Sequence, residues 1–104
     1  MDKLDNIILI GFMGSGKTSF GKWIAKNHGR NFYVTDELIE SSQLRSISDI
    51  FAENGEEYFR ELETDTVRRM LDDKVSGGVI SVGGGLPLRA ENRRLLKRLG
   101  TVVY

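Results

Sequence analysis

No cysteine occurs in this 104-residue chain, so disulfides, thiolate nucleophiles and cysteine-based zinc sites are excluded. Histidine is nearly as scarce. The single His28 leaves no histidine cluster for a metal, and beside Gly29 it reads as a polar residue at a helix end. Net charge is missing as well: 15 basic residues balance 15 acidic ones, so no global basic field draws nucleic acid or an anionic membrane, and neither is expected as a partner. Long hydrophobic runs are also lacking. The apolar stretches are too short to cross a bilayer, and Met1-Asp2-Lys3-Leu4-Asp5-Asn6 has no signal-peptide pattern, which makes the cytoplasm the expected location.

What is present fits a soluble globular protein, 39% hydrophobic and 29% charged, with residues 1–104 forming a single domain. Strand and helix patterns alternate. The apolar run Ile7-Ile8-Leu9-Ile10 predicts a first strand, and Phe20, Trp23 and Ile24 at i, i+3, i+4 predict the apolar face of a helix ending near Gly29. Asn31 to Asp36 predicts a second strand with Asp36 at its carboxyl end, and a short helix follows through Glu40. Ser46-Ile47-Ser48-Asp49 has the form of a capping box opening another helix, which Asn54-Gly55 stops. A longer helix is predicted from Glu56 to about Asp72, a third strand over Val79 to Val82, a helix over Arg89 to Arg98, and a last strand from Thr101. This alternation implies an α/β fold, a parallel sheet with helices on its faces.

Between the first strand and its helix stands Gly11-Phe12-Met13-Gly14-Ser15-Gly16-Lys17-Thr18, which matches the phosphate-loop spacing G-x-x-x-x-G-K-[ST]. Glycines there let successive backbone N–H groups point inward at phosphate oxygens, and the helix N-terminus adds further donors. Gly14, Ser15, Gly16, Lys17, Thr18 and Ser19 are therefore candidate nucleotide contacts. Lys17 supplies a charge for the β- and γ-phosphates of ATP, and Thr18 offers a hydroxyl to Mg²⁺.

Three further candidates should meet this loop at the carboxyl edge of the sheet, where open α/β proteins bind ligands. Asp36 could orient an attacking hydroxyl and take its proton, and it would also serve as a helix N-cap. Arg60 presents a planar fork for an anion, although Glu56, Glu57, Glu61 and Glu63 make it equally readable as a partner of nearby acids. Gly83, Gly84 and Gly85 would let a ligand approach the backbone closely. Arg89, Arg93 and Arg94 read as a solvated helix face.

The phosphate loop, Thr35-Asp36, Ser46-Ile47-Ser48-Asp49-Ile50-Phe51, Phe59-Arg60-Glu61-Leu62-Glu63, Ser81-Val82-Gly83-Gly84-Gly85 and Gly100-Thr101-Val102-Val103-Tyr104 follow one another in an order and spacing that resembles shikimate kinase. The resemblance implies a P-loop, three-layer α/β/α kinase that transfers the γ-phosphate of ATP to the 3-hydroxyl of shikimate with Mg²⁺. It implies that Lys17 and Asp36 are catalytic and that Arg60 grips the shikimate carboxylate. Gly83, Gly84 and Gly85 would line the acceptor site, Glu63 would support it, and Ile47, Phe51 and Phe59 would wall it.

Two departures accompany the resemblance. Val34 stands where the family usually carries the first carboxylate of an Asp-x-Asp, so either Asp36 and Thr18 manage the metal with more water or Mg²⁺ binding is weakened, and the second is the expectation. The family also continues past Val-Val-Tyr into a lid, a final strand and an adenine-contacting loop, so the expectation is an incomplete domain. Such a piece should be weakly active or inactive and prone to self-association, with a monomer expected for the longer protein. A non-catalytic ATP-binding module or truncated remnant, and another small-metabolite kinase of the same fold, are the alternatives.

Overall fold

The computed structural model describes residues 4–10 and 17–103, and for residues 17–19 the backbone alone. Four parallel strands form one sheet in the order β2-β3-β1-β4, where β1 is Asn6–Leu9, β2 Asn31–Val34, β3 Gly78–Ser81 and β4 Thr101–Val103. The connections are helical. α1 (Lys17–Asn27) follows β1, α2 (Thr35–Gln43) and α3 (Ile47–Asp72) join β2 to β3, and α4 (Ala90–Leu99) leads into β4.

Pairing in register places Tyr33, Ile80, Ile8 and Val102 in one row across the sheet. This row packs against Val67 and Met70 of α3 and Leu96 and Leu99 of α4. The alternate positions Ile7, Leu9, Phe32 and Val79 turn to the other face and meet Ile24 and Ala25 of α1. Side chains alternate along each strand, so an uninterrupted apolar run supplies both faces at once. The expected three-layer α/β/α arrangement of a parallel sheet is present. A smaller core of Ile39, Ile50 and Phe59, flanked by Ile47 and Leu62, lies between α2 and α3.

Several boundaries differ from the sequence expectation. β2 ends at Val34, and Thr35 and Asp36 belong to the first turn of α2. Acidic residues at the start of a helix are favoured by its dipole, so Asp36-Glu37 extends the helix backward and shortens the strand. α1 does not present Phe20 and Trp23 to the sheet: they are 51% and 61% exposed, and the buried positions are Gly21 and Ala25. The reason is proximity, since a Cβ on Gly21 would lie 2.5 Å from the Phe32 ring. Helix and strand are too close there for a large side chain between them.

Other local expectations hold. Ser46 Oγ accepts from the Asp49 N–H at 3.1 Å and caps α3. The predicted stop at Asn54-Gly55 is a break inside α3, where Gly55 has φ 86° and ψ 174°. His28 is exposed beyond the end of α1, and Gly29 takes a left-handed φ of 63°. Pro87 sits in a 3₁₀ turn, Leu86–Leu88, between the glycine run and α4.

Candidate active site

At the carboxyl edge, the glycine run after β3 is fastened to the beginning of α2. Thr35, fully buried, accepts a hydrogen bond from the Gly83 N–H through Oγ1 at 3.0 Å. This brings Asp36 over Gly83. A Cβ on that glycine would stand 2.8 Å from Asp36 Oδ1 and 3.3 Å from Glu63 Oε2, so two carboxylates converge on Gly83 from α2 and α3. Gly85 faces a cation instead: a Cβ there would lie 2.7 Å from Arg60 Cζ. Gly84, between them, has open space on its side-chain face.

Arg60 Nη1 donates to Glu63 Oε1 at 2.8 Å, one turn along α3. Its guanidinium also lies 5.7 Å from the centre of the Phe59 ring. Glu63 is Arg60's single ion-pair partner among the described residues, which leaves the rest of the fork available for an incoming anion. Glu63 itself is 1% exposed. Burial pushes its carboxyl above the usual range, opposed by the hydrogen bond and charge of Arg60, while the negative charge of Asp36 adds to the upward push. Phe51 and Phe59 stack at 4.8 Å between centroids nearby. One cation and two carboxylates are thus gathered against the bare backbone of the glycine run.

Not every arginine expectation survives. Arg89 is not part of a solvated helix face: it precedes α4, pairs with Glu61 at 2.9 Å and Glu57 at 3.3 Å, and donates to Thr64 Oγ1 at 3.4 Å. The Glu61 hydrogen bond holds its proton more tightly than usual. Arg93 donates to the carbonyls of Pro87 and Leu88 and closes off the 3₁₀ turn. Arg94 is exposed, as expected.

Sequence reading missed the buried polar residues behind this wall. Thr64 Oγ1 donates to Asn92 Oδ1 at 2.7 Å, and Asn92 Nδ2 donates to the Leu86 carbonyl at 2.8 Å. A polar residue on the inner face of an otherwise apolar pattern is the signal that could have found Asn92. The candidate nucleotide contacts Gly14, Ser15 and Gly16, and the side chains of Lys17, Thr18 and Ser19, lie outside the described residues. Among the described residues no group of three or more His, Asp or Glu side chains could hold a metal ion, and no helix is long and apolar enough to cross a membrane.

The family model of shikimate kinase matches residues 13–104. This chain belongs to the shikimate kinase family. The shikimate kinase of Dictyoglomus turgidum is 48% identical over 101 residues, and that of Symbiobacterium thermophilum 46% over 99; each alignment covers 95% of this chain but 57% and 56% of the relative. Among solved structures, a shikimate kinase from Acinetobacter baumannii in complex with shikimate superimposes with a TM-score of 0.90 at 39% identity, covering 99% of this chain and 56% of that one. The shikimate kinase of Aquifex aeolicus gives 0.85 at 37% identity, covering 93% and 56%. The chain thus spans a little over half the length of the shikimate kinases it matches.

Proposed function

We propose that this chain forms the nucleotide- and acceptor-binding part of a shikimate kinase, residues 1–104 belonging to one P-loop kinase domain. The reaction would move the γ-phosphoryl group of ATP to the 3-hydroxyl of shikimate. The observation that carries this reading is the Arg60 guanidinium lying against Gly85, with Glu63 holding one edge and the other free for a carboxylate. Asp36 and the glycine run then face the part of the acceptor that bears the hydroxyl. The hydroxyl oxygen attacks the γ-phosphorus, the bond to the β–γ bridging oxygen breaks, ADP leaves, and the hydroxyl proton passes to the Asp36 carboxylate. Lys17 and the backbone of Gly14, Ser15, Gly16, Thr18 and Ser19 would hold the triphosphate.

The donor set suits a magnesium ion carried on phosphates and water rather than a protein cage, because among the described residues Asp36 and Glu63 are the two carboxylates that converge on Gly83. Thr18 and Asp36 would face it. When bound, the ion neutralises charge developing on the β- and γ-oxygens. The setting would be the cytoplasm, with no nucleic acid or membrane as partner, a monomer in the longer protein and self-association open to these 104 residues.

The test is ADP release in a coupled assay with ATP, Mg²⁺ and shikimate, beside calorimetric titration of each ligand. Binding of both ligands with weak turnover is the expected result. Shikimate that fails to bind, or binds equally well to Arg60→Gln, would overturn the acceptor assignment.

A second reading, an ATP-binding module without turnover, is favoured by Val34. This residue ends β2 opposite Ser81 and brings no carboxylate to the edge where the metal would sit. Val34→Asp should raise Mg²⁺ affinity or turnover if weakened metal binding is the cause. An unchanged Mg²⁺ titration and rate would remove that explanation.

A further inference from the structure

Behind the acceptor wall runs a line of donors with one direction: Arg89 to Thr64, Thr64 to Asn92, and Asn92 to the Leu86 carbonyl, at 3.4, 2.7 and 2.8 Å. Thr64 and Asn92 are both completely buried. Thr64 has a single hydroxyl proton; the Arg60 carbonyl lies at 3.2 Å, but Asn92 Oδ1 is closer and has no other donor among the described residues. Asn92 turns its amide nitrogen to the Leu86 carbonyl, so the atom it presents to Thr64 is its oxygen.

The ends of this line are what give it meaning. Thr64 lies one helical turn beyond Arg60, and Leu86 follows Gly85 directly. The turn holding Gly83 to Gly85 is closed by Leu86 N–H on the Gly83 carbonyl and Leu88 N–H on the Gly85 carbonyl. Its separation from α3 is therefore bridged by one residue on α4. Apolar contacts around Leu86 and Leu96 would hold the layers together without fixing their spacing to a few tenths of an ångström; paired hydrogen bonds impose a distance.

We propose that Thr64 and Asn92 are positioning residues for the acceptor carboxylate, setting the gap in which the Arg60 guanidinium lies against Gly85. The inference rests on the acceptor reading given above. Neither side chain touches the ligand; both act through the placement of Arg60 and the glycine turn.

The test titrates shikimate and, separately, ATP into the folded 104-residue chain and into Thr64→Val, Thr64→Ser and Asn92→Leu. Valine keeps the shape of threonine and removes the hydroxyl, whereas serine keeps the hydroxyl. Shikimate affinity should fall about tenfold or more in Thr64→Val and Asn92→Leu, recover to within about threefold of the parent in Thr64→Ser, and leave ATP affinity within about twofold throughout. Should Asn92→Leu not fold, the valine and serine pair decides alone. Parent-like shikimate affinity in Thr64→Val would overturn the proposal. So would loss of both ligands in parallel, which is the signature of general destabilisation. A parent chain that binds ATP but no shikimate would instead overturn the acceptor reading, and this inference with it.

Discussion

Gly85 and Arg60 illustrate how one missing methyl group shapes a site. The backbone of Gly85 has φ −89° and ψ −14°, which any residue adopts, so its value lies in the space it leaves for the guanidinium. Gly85→Ala should therefore displace the far end of a flexible side chain rather than strain the fold. We expect less than about 1 kcal/mol of destabilisation in urea unfolding but about tenfold weaker shikimate binding, with ATP binding unchanged. Glu63 makes a second prediction at this scale. Its pKa is raised in the fold above an ordinary value of 4.5, so between the unfolded and folded pKa values the native state binds more protons than the unfolded chain. The stability this group contributes is full below that value and is lost as pH rises through its folded pKa. Relative to Glu63→Gln, the parent should lose stability as pH rises above about 4.5 through the folded pKa of Glu63. An unfolding free-energy difference between the two that does not change with pH would contradict the assignment.

Among the elements, α3 carries the most. It supplies Phe59, Arg60, Glu63 and Thr64 to the site and Val67 and Met70 to the main core. Its break at Gly55 lies between Ile50 and Phe59, which both pack on Ile39 of α2, and the sheet-facing turns begin further on, at Val67. A φ of 86° with an extended ψ is a region that only glycine occupies comfortably, and no atom lies within 4 Å of where its Cβ would be. Gly55→Ala should thus cost about 1–3 kcal/mol through backbone strain alone, measured by chemical denaturation. Asn54-Gly55 was legible as a stop because glycine after asparagine is a local signal. The end of β2 was not: Thr35 and Asp36 have extended-strand neighbours in sequence, and only the dipole of α2 together with the Thr35 bond to Gly83 places them in a helix. The apolar spacing of Phe20, Trp23 and Ile24 misled for a related reason. It describes a helix face but not the distance at which that helix meets the sheet.

Across the whole molecule, one buried residue near the N-terminal end of the sheet holds three distant segments. Asn6 donates from Nδ2 to the carbonyls of Val75 and Leu99, each at 2.7 Å, and accepts from the Gly78 N–H at 3.0 Å. Gly100 packs directly on its backbone, where a Cβ would lie 2.7 Å from the Asn6 carbonyl carbon. Asn6→Ala leaves a buried donor and two carbonyls without partners and should cost about 3 kcal/mol or more, read as a lower urea midpoint with an unchanged slope. Nothing in the residues flanking Asn6 announces this role. Its partners lie 69 to 93 residues away.

The alternation of elements, the phosphate-loop spacing and the Phe-Arg-x-x-Glu and Gly-Gly-Gly elements could be read from the chain itself, because each rests on periodicity or on residues close in sequence. Those features settled the α/β class and the family. Tertiary structure decided the rest: that Gly85 makes room for Arg60, that Glu63 is buried beside Asp36, that Arg89 leaves its helix face to pair with α3, and that Thr64, Asn92 and Asn6 brace the layers. Each of these depends on the separation between elements, and a hydrogen bond or a close contact between distant segments has no period along the chain.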